Sequence, residues 1–225
     1  MRVIITGATG MIGKGVLLEC LDDEGVSEVL CISRRNLGMS HPKLRELIHK
    51  DFSEFESVKE SLAGYDACYA CMGVSSAGMS EEEFTRLTYD FTLALAKTLY
   101  GLNPGMTFIY VSGQGTRSDE RGVMWARVKG KTENDVLKLG FDKAFAFRPG
   151  MIIPMRGVIP SSRLYRFMIN NMTWLLKLAK RLAPNSVVDS AQIGHAMVNA
   201  SKVGYDKDVI RPADILKLAA MSGRT

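Results

Sequence analysis

Long apolar runs are missing from this chain. No stretch comes near the roughly eighteen consecutive apolar residues that read as a membrane-crossing helix, and nothing ahead of Val3 has the form of a secretory leader, so a cytoplasmic location is expected. Histidine is scarce at three residues, none clustered with acids or thiols, and no metal site is expected. Four cysteines without any other secretory sign point to reduced thiols. Two of them, Cys68 and Cys71, form a CxxC. Their stretch, YDACYACMG, reads as a strand, where residues three apart face opposite ways and can neither share a metal nor bond to each other. Acidic residues are absent from 143–188, whereas Lys143, Arg148, Arg156, Arg163, Arg166, Lys177, Lys180 and Arg181 all fall there, so the net charge of +5 belongs to the C-terminal third. That sign implies a negative partner but does not separate a phosphorylated ligand from a membrane surface or nucleic acid. No nucleic-acid partner is expected, and internal repeats and low-complexity tracts are also missing.

What is present suits a soluble globule. With 46% hydrophobic and 24% charged residues, a chain of 225 is long enough to bury one sizeable core without staples, and 1–225 is expected to be a single domain. Its organising stretch is residues 3–13, VIITGATGMIG. Val3, Ile4 and Ile5 suit a strand covered on both faces, and Gly7, Gly10 and Gly13 follow at three-residue spacing before a helix. In that context the first glycine turns the chain off the strand and the second admits a pyrophosphate to the backbone. The third lets the helix lie close to the sheet, while the helix N-terminus offers amide N–H groups and a positive dipole end. Gly7, Thr9, Gly10, Met11, Ile12 and Gly13 are accordingly the candidate phosphate-binding residues.

Strand and helix then alternate. A second strand, 28–33, ends at Ser33, Arg34 and Arg35, at the position about 20 residues past the glycines where a carboxylate would hold the 2′-hydroxyl of NAD. Two cations there favour NADP, since a guanidinium can pair with a 2′-phosphate and stack on adenine. The plainer reading is a pair of solvated loop charges. A third strand is expected at 47–50, followed by Asp51, placed to accept an adenine amino group or to cap a helix starting near Ser53, and by Phe52, placed beside the adenine ring. Strand four, 67–71, ends in Cys71, Met72 and Gly73, whose backbone should pass near a ribose. Ser80 followed by three glutamates starts a helix, strand five is 107–112, a helix covers about 124–139, and strand six is 144–148. Strands separated by helices throughout give an α/β, doubly wound parallel sheet with helices on both faces.

TGATGMIG, ISRR, the DF after strand three, FIYVSGQG, VKGKTE and FRPGMIIP occur in order along nearly the whole chain. Together they resemble the atypical short-chain dehydrogenase/reductase family, related to NAD-dependent epimerases and dehydratases, and within it the compact Tat-interacting-protein-like branch. The resemblance implies a Rossmann sheet of about seven strands in the order 3-2-1-4-5-6, with ligand beyond the carboxyl ends of the strands. It implies a small substrate-side region at 151–188, and a nicotinamide dinucleotide near Pro149, Gly150, Met151 and Ile152. It also implies Ser, Tyr and Lys chemistry, in which tyrosine exchanges a proton with the substrate oxygen, lysine holds the ribose and lowers the tyrosine pKa, and serine orients the carbonyl.

Ser112 and Lys129 match two of the three. One turn before Lys129, where the tyrosine belongs, stands Trp125. An indole N–H donates but does not titrate in the working range. Three readings follow. The fold binds NADP without turnover, as a sensor or interaction scaffold; it reduces or epimerises a substrate using another acid or a water, with Tyr110, Tyr89 and Tyr165 at the wrong spacing; or the register is shifted. Residues 161–182 read as an amphipathic helix with Arg163, Arg166, Lys177, Lys180 and Arg181 on one face, a surface suited to solvent or to an anionic membrane, with Pro184 ending it. Asp189 then caps another helix, in which His195 reads as a packed or surface residue. A homodimer is compatible with the sequence.

Overall fold

Val3, Ile4 and Ile5 are all wholly buried, and their alternation sends Val3 and Ile5 to one hydrophobic cluster and Ile4 to another. A strand with apolar layers on both faces needs helices on both sides. A computed structural model describes residues 1–156, 158 and 184–221, and it has that arrangement. Seven parallel strands stand in the order β3-β2-β1-β4-β5-β6-β9: β1 (Arg2–Thr6), β2 (Glu28–Ser33), β3 (Leu44–Ile48), β4 (Ala67–Ala70), β5 (Thr107–Val111), β6 (Lys143–Phe147) and β9 (Val209–Ile210). The helices described are α1 (Met11–Asp22), α2 (Glu81–Thr85), α3 (Phe91–Leu102), α4 (Met124–Leu137), α5 (Ser190–Val203) and α6 (Pro212–Ala219). A π-turn over Arg86–Asp90 joins α2 to α3.

The two faces separate the CxxC as expected. Cys68 packs with Leu95 and Leu99 beneath α3, Cys71 packs with Val16 and Met197 beneath α1 and α5, and all four cysteines are free and buried. Ser80 caps α2 by accepting from the Glu83 amide at 3.1 Å. Asp189 caps α5 in a reciprocal box with Gln192, at 2.7 and 2.9 Å. His195 is exposed on α5 and faces Glu19 of α1 at 3.0 Å.

The third strand departs from expectation. It runs Leu44–Ile48 because its pairing with β2 starts at Val29 opposite Leu44 and ends at Ser33 opposite Ile48. As an edge strand it leaves Arg45 and Ile48 exposed, so its apolar pattern was weak. Asp51 does not cap a helix near Ser53; its carboxylate takes the Ser53 amide at 2.9 Å and hydroxyl at 2.5 Å in a tight turn. The next helical stretch is a 3-10 segment, Glu56–Leu62. Beyond β6, the short strands β7 (Met151–Ile153) and β8 (Val187–Asp189) pair in parallel as a separate two-stranded sheet. The expected helix at 161–182, with Tyr165 and the basic residues Arg163, Arg166, Lys177, Lys180 and Arg181, lies outside the described residues.

At the amino edge of the sheet Glu28 accepts from Arg45 and Arg2, each at 2.8 Å, and from the Tyr65 hydroxyl at 2.8 Å. Chiefly the Arg45 and then the Arg2 hydrogen bond holds its carboxyl well below the usual range, at about 2. A carboxylate depressed by folding stabilises the protein above its unfolded pKa and ceases to do so as pH falls through the folded one. Melting temperatures between pH 7 and pH 2 should show Glu28→Gln less stable than wild type near neutrality. The gap should close as pH falls from about 4.5 toward 2.

Candidate functional site

Parallel register brings the separate sequence motifs to one edge of the sheet. Thr6 stands opposite Ile32 of β2 and Ala70 of β4, Ala70 opposite Tyr110 of β5, and Val111 opposite Phe147 of β6. The residues at or just past the strand ends, Gly7, Ser33, Cys71, Ser112 and Arg148, therefore share the carboxyl edge. That edge is where open α/β sheets bind ligands.

Its centre is the turn after β1. Gly7 has φ +72°, and a Cβ there would stand 2.5 Å from the Cys71 carbonyl oxygen. A Cβ on Gly13 would stand 2.2 Å from the Gly7 carbonyl oxygen, and the Gly10 amide donates to that same oxygen at 2.9 Å. Backbone thus touches backbone where a side chain would otherwise fill the space. The first intrahelical bond is from the Lys14 amide to the Gly10 carbonyl, so the amides of Met11, Ile12 and Gly13 precede it. The start of α1 has no capping side chain, unlike α2 and α5, and no acid in its first turn, unlike α2. An external anion is the partner that such a terminus accepts. Thr9 is exposed beside it.

At the end of β2 the buried Ser33 hydroxyl donates to the Arg35 carbonyl at 2.6 Å, fixing the bend. Arg34 and Arg35 are exposed, and among the described residues neither has an ion-pair partner. Asp51 is exposed two residues beyond the last bond of β3 to β2, from the His49 amide to the Ser33 carbonyl. Phe52 does not present its ring as expected. It is 4% exposed, with its ring centroid 5.6 Å from that of Phe55 and 6.2 Å from that of Phe91, so main chain is what it offers the crevice. Cys71 lends its carbonyl to the Gly7 contact, and burial pushes its thiol well above the usual range. Met72 is half-buried, and Gly73 is exposed.

Ser112 and Lys129 do meet. The Lys129 ammonium donates to the Ser112 carbonyl at 3.2 Å, and burial pushes its pKa below that of an ordinary lysine, opposed by Glu133. The Ser112 hydroxyl is bonded at 2.8 Å to that of Thr116, a partner the sequence reading missed although GQGT repeats a hydroxyl four residues on. Trp125 lies one turn before Lys129 with its indole edge over Gly115, 3.0 Å from where a Cβ would stand. Of the other tyrosines considered, Tyr110 is buried with its hydroxyl pKa pushed up by desolvation, and Tyr89 donates to Asp135 at 2.7 Å. Gly130 lets α4 press on the loop after β5, since a Cβ there would lie 1.9 Å from the Arg117 carbonyl oxygen.

Past β6, Pro149 is buried and accepts from the Gln114 amide at 3.1 Å, while Gly150 passes between Gln114 and the Ser186 carbonyl. Met151 is exposed and Ile152 buried. The cationic C-terminal third is less cationic than its sequence suggests. Arg148 is consumed by the fully buried Glu133, and Arg156 by Glu19 and Asp22 at 3.0 and 2.7 Å. Both sets of carboxylates come from outside that third, which linear charge counting cannot detect.

Residues 3–122 match the profile of the NAD dependent epimerase/dehydratase family. Protein FMP52 of Candida albicans, named as mitochondrial, is 25% identical over 233 residues, 97% of this chain and 98% of that protein. Protein HTATIP2 of Rattus norvegicus is 28% identical over 153 residues, 67% of this chain and 62% of that protein. Among solved structures, a UDP-N-acetylglucosamine 4-epimerase from Methanobrevibacter ruminantium superposes with a TM-score of 0.68 at 16% identity, covering 93% of this chain and 75% of that one. The expected cytoplasmic location is overturned by the mitochondrial names of the fungal relatives. Among the described residues no helix is long and apolar enough to cross a membrane.

The turn geometry has a direct test. Gly13→Ala should destabilise the fold by about 1–3 kcal/mol through overpacking against a backbone that cannot yield. Gly38→Ala is no control because its φ is positive, so Gly101→Ala, with open space around it, supplies one. Urea denaturation should place the Gly13 variant well below the Gly101 variant.

Proposed function

The chain belongs to the NAD dependent epimerase/dehydratase family, and from that premise we propose that it binds NADP(H) in preference to NAD(H) as an atypical reductase or epimerase. The observation that carries the preference is the pair Arg34 and Arg35, exposed and without carboxylate partners among the described residues, on the same carboxyl edge of the sheet as the uncapped start of α1. Amides of Met11, Ile12 and Gly13 would hold the pyrophosphate, the two guanidinium groups the 2′-phosphate, and Asp51 the adenine amino group. Main chain at Phe52, Cys71, Met72 and Gly73 would line the adenosine side, and the Pro149 to Ile152 segment the nicotinamide side.

When bound, the cofactor supplies or accepts a hydride. Lys129, fixed on the Ser112 carbonyl, would hold the ribose hydroxyls with its ammonium, and the hydroxyls of Ser112 and Thr116 would orient a substrate oxygen. Trp125 stands where the tyrosine acid is expected and supplies no titrating hydroxyl. This favours a second reading, a dinucleotide-binding sensor or scaffold without turnover.

The two readings separate in one series. NADP should raise the melting temperature more than NAD at equal concentration, through linkage. Arg34→Ala with Arg35→Ala should weaken NADP about ten- to hundredfold, the loss of charge-assisted hydrogen bonds, and leave NAD nearly unchanged. Substrate-dependent NADPH oxidation that is lost in Lys129→Ala supports the enzyme; none with a broad carbonyl panel, gained in Trp125→Tyr, supports the binding protein. No stabilisation by either dinucleotide contradicts both.

A further inference from the structure

Helix α4 contains two lysines with a carboxylate one turn further on, and it treats them differently. Lys131 reaches Asp135 at 2.9 Å, and this hydrogen bond raises its pKa. Lys129 makes no ion pair with Glu133 despite the same spacing; its ammonium goes to the Ser112 carbonyl. The difference lies in Glu133, whose two oxygens are both engaged by Arg148, Oε1 from Nε at 2.9 Å and Oε2 from Nη2. Glu133 is wholly buried and Arg148 nearly so. A second bond from Arg148 Nη2 to the Ser118 hydroxyl at 2.5 Å fixes the guanidinium to the loop after β5, and one from the Arg148 main-chain amide to the Ile210 carbonyl at 2.8 Å fixes its backbone to β9.

We propose that Arg148 is a positioning residue: by occupying both oxygens of Glu133 it leaves the Lys129 ammonium unpaired and directed to the Ser112 carbonyl at the crevice. An ammonium at i and a carboxylate at i+4 on a helix attract one another, as Lys131 and Asp135 show. Were Glu133 free, Lys129 would fold back along α4 in the same way and leave the sheet edge. The charged groups around Lys129 are few. Glu133 on its own helix is the one that acts on it, Arg148 just past β6 faces that carboxylate, and Tyr110 of β5 faces Glu133 with its hydroxyl protonated. The guanidinium suits this task because its planar fork engages the two oxygens through two separate nitrogens, Nε and Nη2.

That the freed ammonium serves a bound dinucleotide rests on the function proposed above. The pairing itself is read without any ligand, by following lysine side chains by NMR in the full chain across alkaline pH, with the Lys129 signal assigned by its loss in Lys129→Arg. The wild-type Lys129 midpoint should lie below that of an ordinary lysine. Arg148→Met releases both oxygens of Glu133, so the midpoint should rise by about one pH unit or more, and Arg148→Lys, which exchanges the two-nitrogen fork for a single ammonium, should raise it by less. Arg148→Met combined with Glu133→Gln should return it to the wild-type value or lower. If Arg148→Met does not fold, Arg148→Lys and the wild-type midpoint decide. An ordinary midpoint in the wild type, or folded Arg148 variants whose Lys129 titrates unchanged, overturns the proposal, since a purely structural role would lower the melting temperature without moving that titration. Midpoint shifts in a protein that ignores both dinucleotides would refute the proposed function and leave the pairing standing.

Discussion

Two backbone contacts set this molecule's geometry: the Gly7 carbonyl pressed against Gly13, and Gly7 itself pressed against the Cys71 carbonyl. Neither tolerates a Cβ, and together they fix the start of α1 relative to the ends of β1 and β4. Because β1 lies near the middle of the parallel sheet, that placement decides where the free amides of α1 stand relative to every other loop on the carboxyl edge. The cationic bend after β2 lies to one side, and Ser112 with Lys129 lies to the other. The proposed anion site follows from what the packing leaves out, a capping side chain and an acid in the first turn.

The far side of the crevice is held differently. Gly130 brings α4 onto the Arg117 carbonyl, and the Arg148 and Glu133 pair ties the same helix to the end of β6. Burying such a pair contributes little net stability, whereas removing one partner costs about 3–5 kcal/mol, so its value is in specifying an arrangement. Here the arrangement concerns which carboxylate a lysine does not meet. The Ser112 to Thr116 hydroxyl pair and the indole of Trp125 over Gly115 complete that wall, within a loop whose residues Gly115, Glu120 and Gly122 all have positive φ.

Features set by local spacing were legible in the sequence. The glycine turn, the cap at Ser80, the capping of α5 by Asp189, the opposite facing of Cys68 and Cys71 and the parallel pairing follow from periodicity and short-range chemistry, whereas the strand order came from the family resemblance. Features set by tertiary contact were not. Phe52 looked available because it follows an Asp in a loop, but an aromatic cluster of His49, Phe55 and Phe91 captures its ring. Arg148 and Arg156 looked like surface charge because their partners, Glu133, Glu19 and Asp22, lie 15 or more residues away in sequence. Leu44 was left out of β3 because an edge strand with one exposed face gives a weak alternation. The cellular address was not legible in the composition, and the mitochondrial names of the fungal relatives point elsewhere than expected.

The central claim is that the amides opening α1 hold the diphosphate of a nicotinamide dinucleotide. Titrating NADP into the 15N-labelled chain and following amide resonances tests it most directly. The account predicts saturating shifts at Gly10, Met11, Ile12 and Gly13, with Arg34 and Arg35 moving in the same titration and resonances at the amino edge near Glu28 staying still. Shifts confined to other parts of the chain, or none at millimolar ligand, would contradict it.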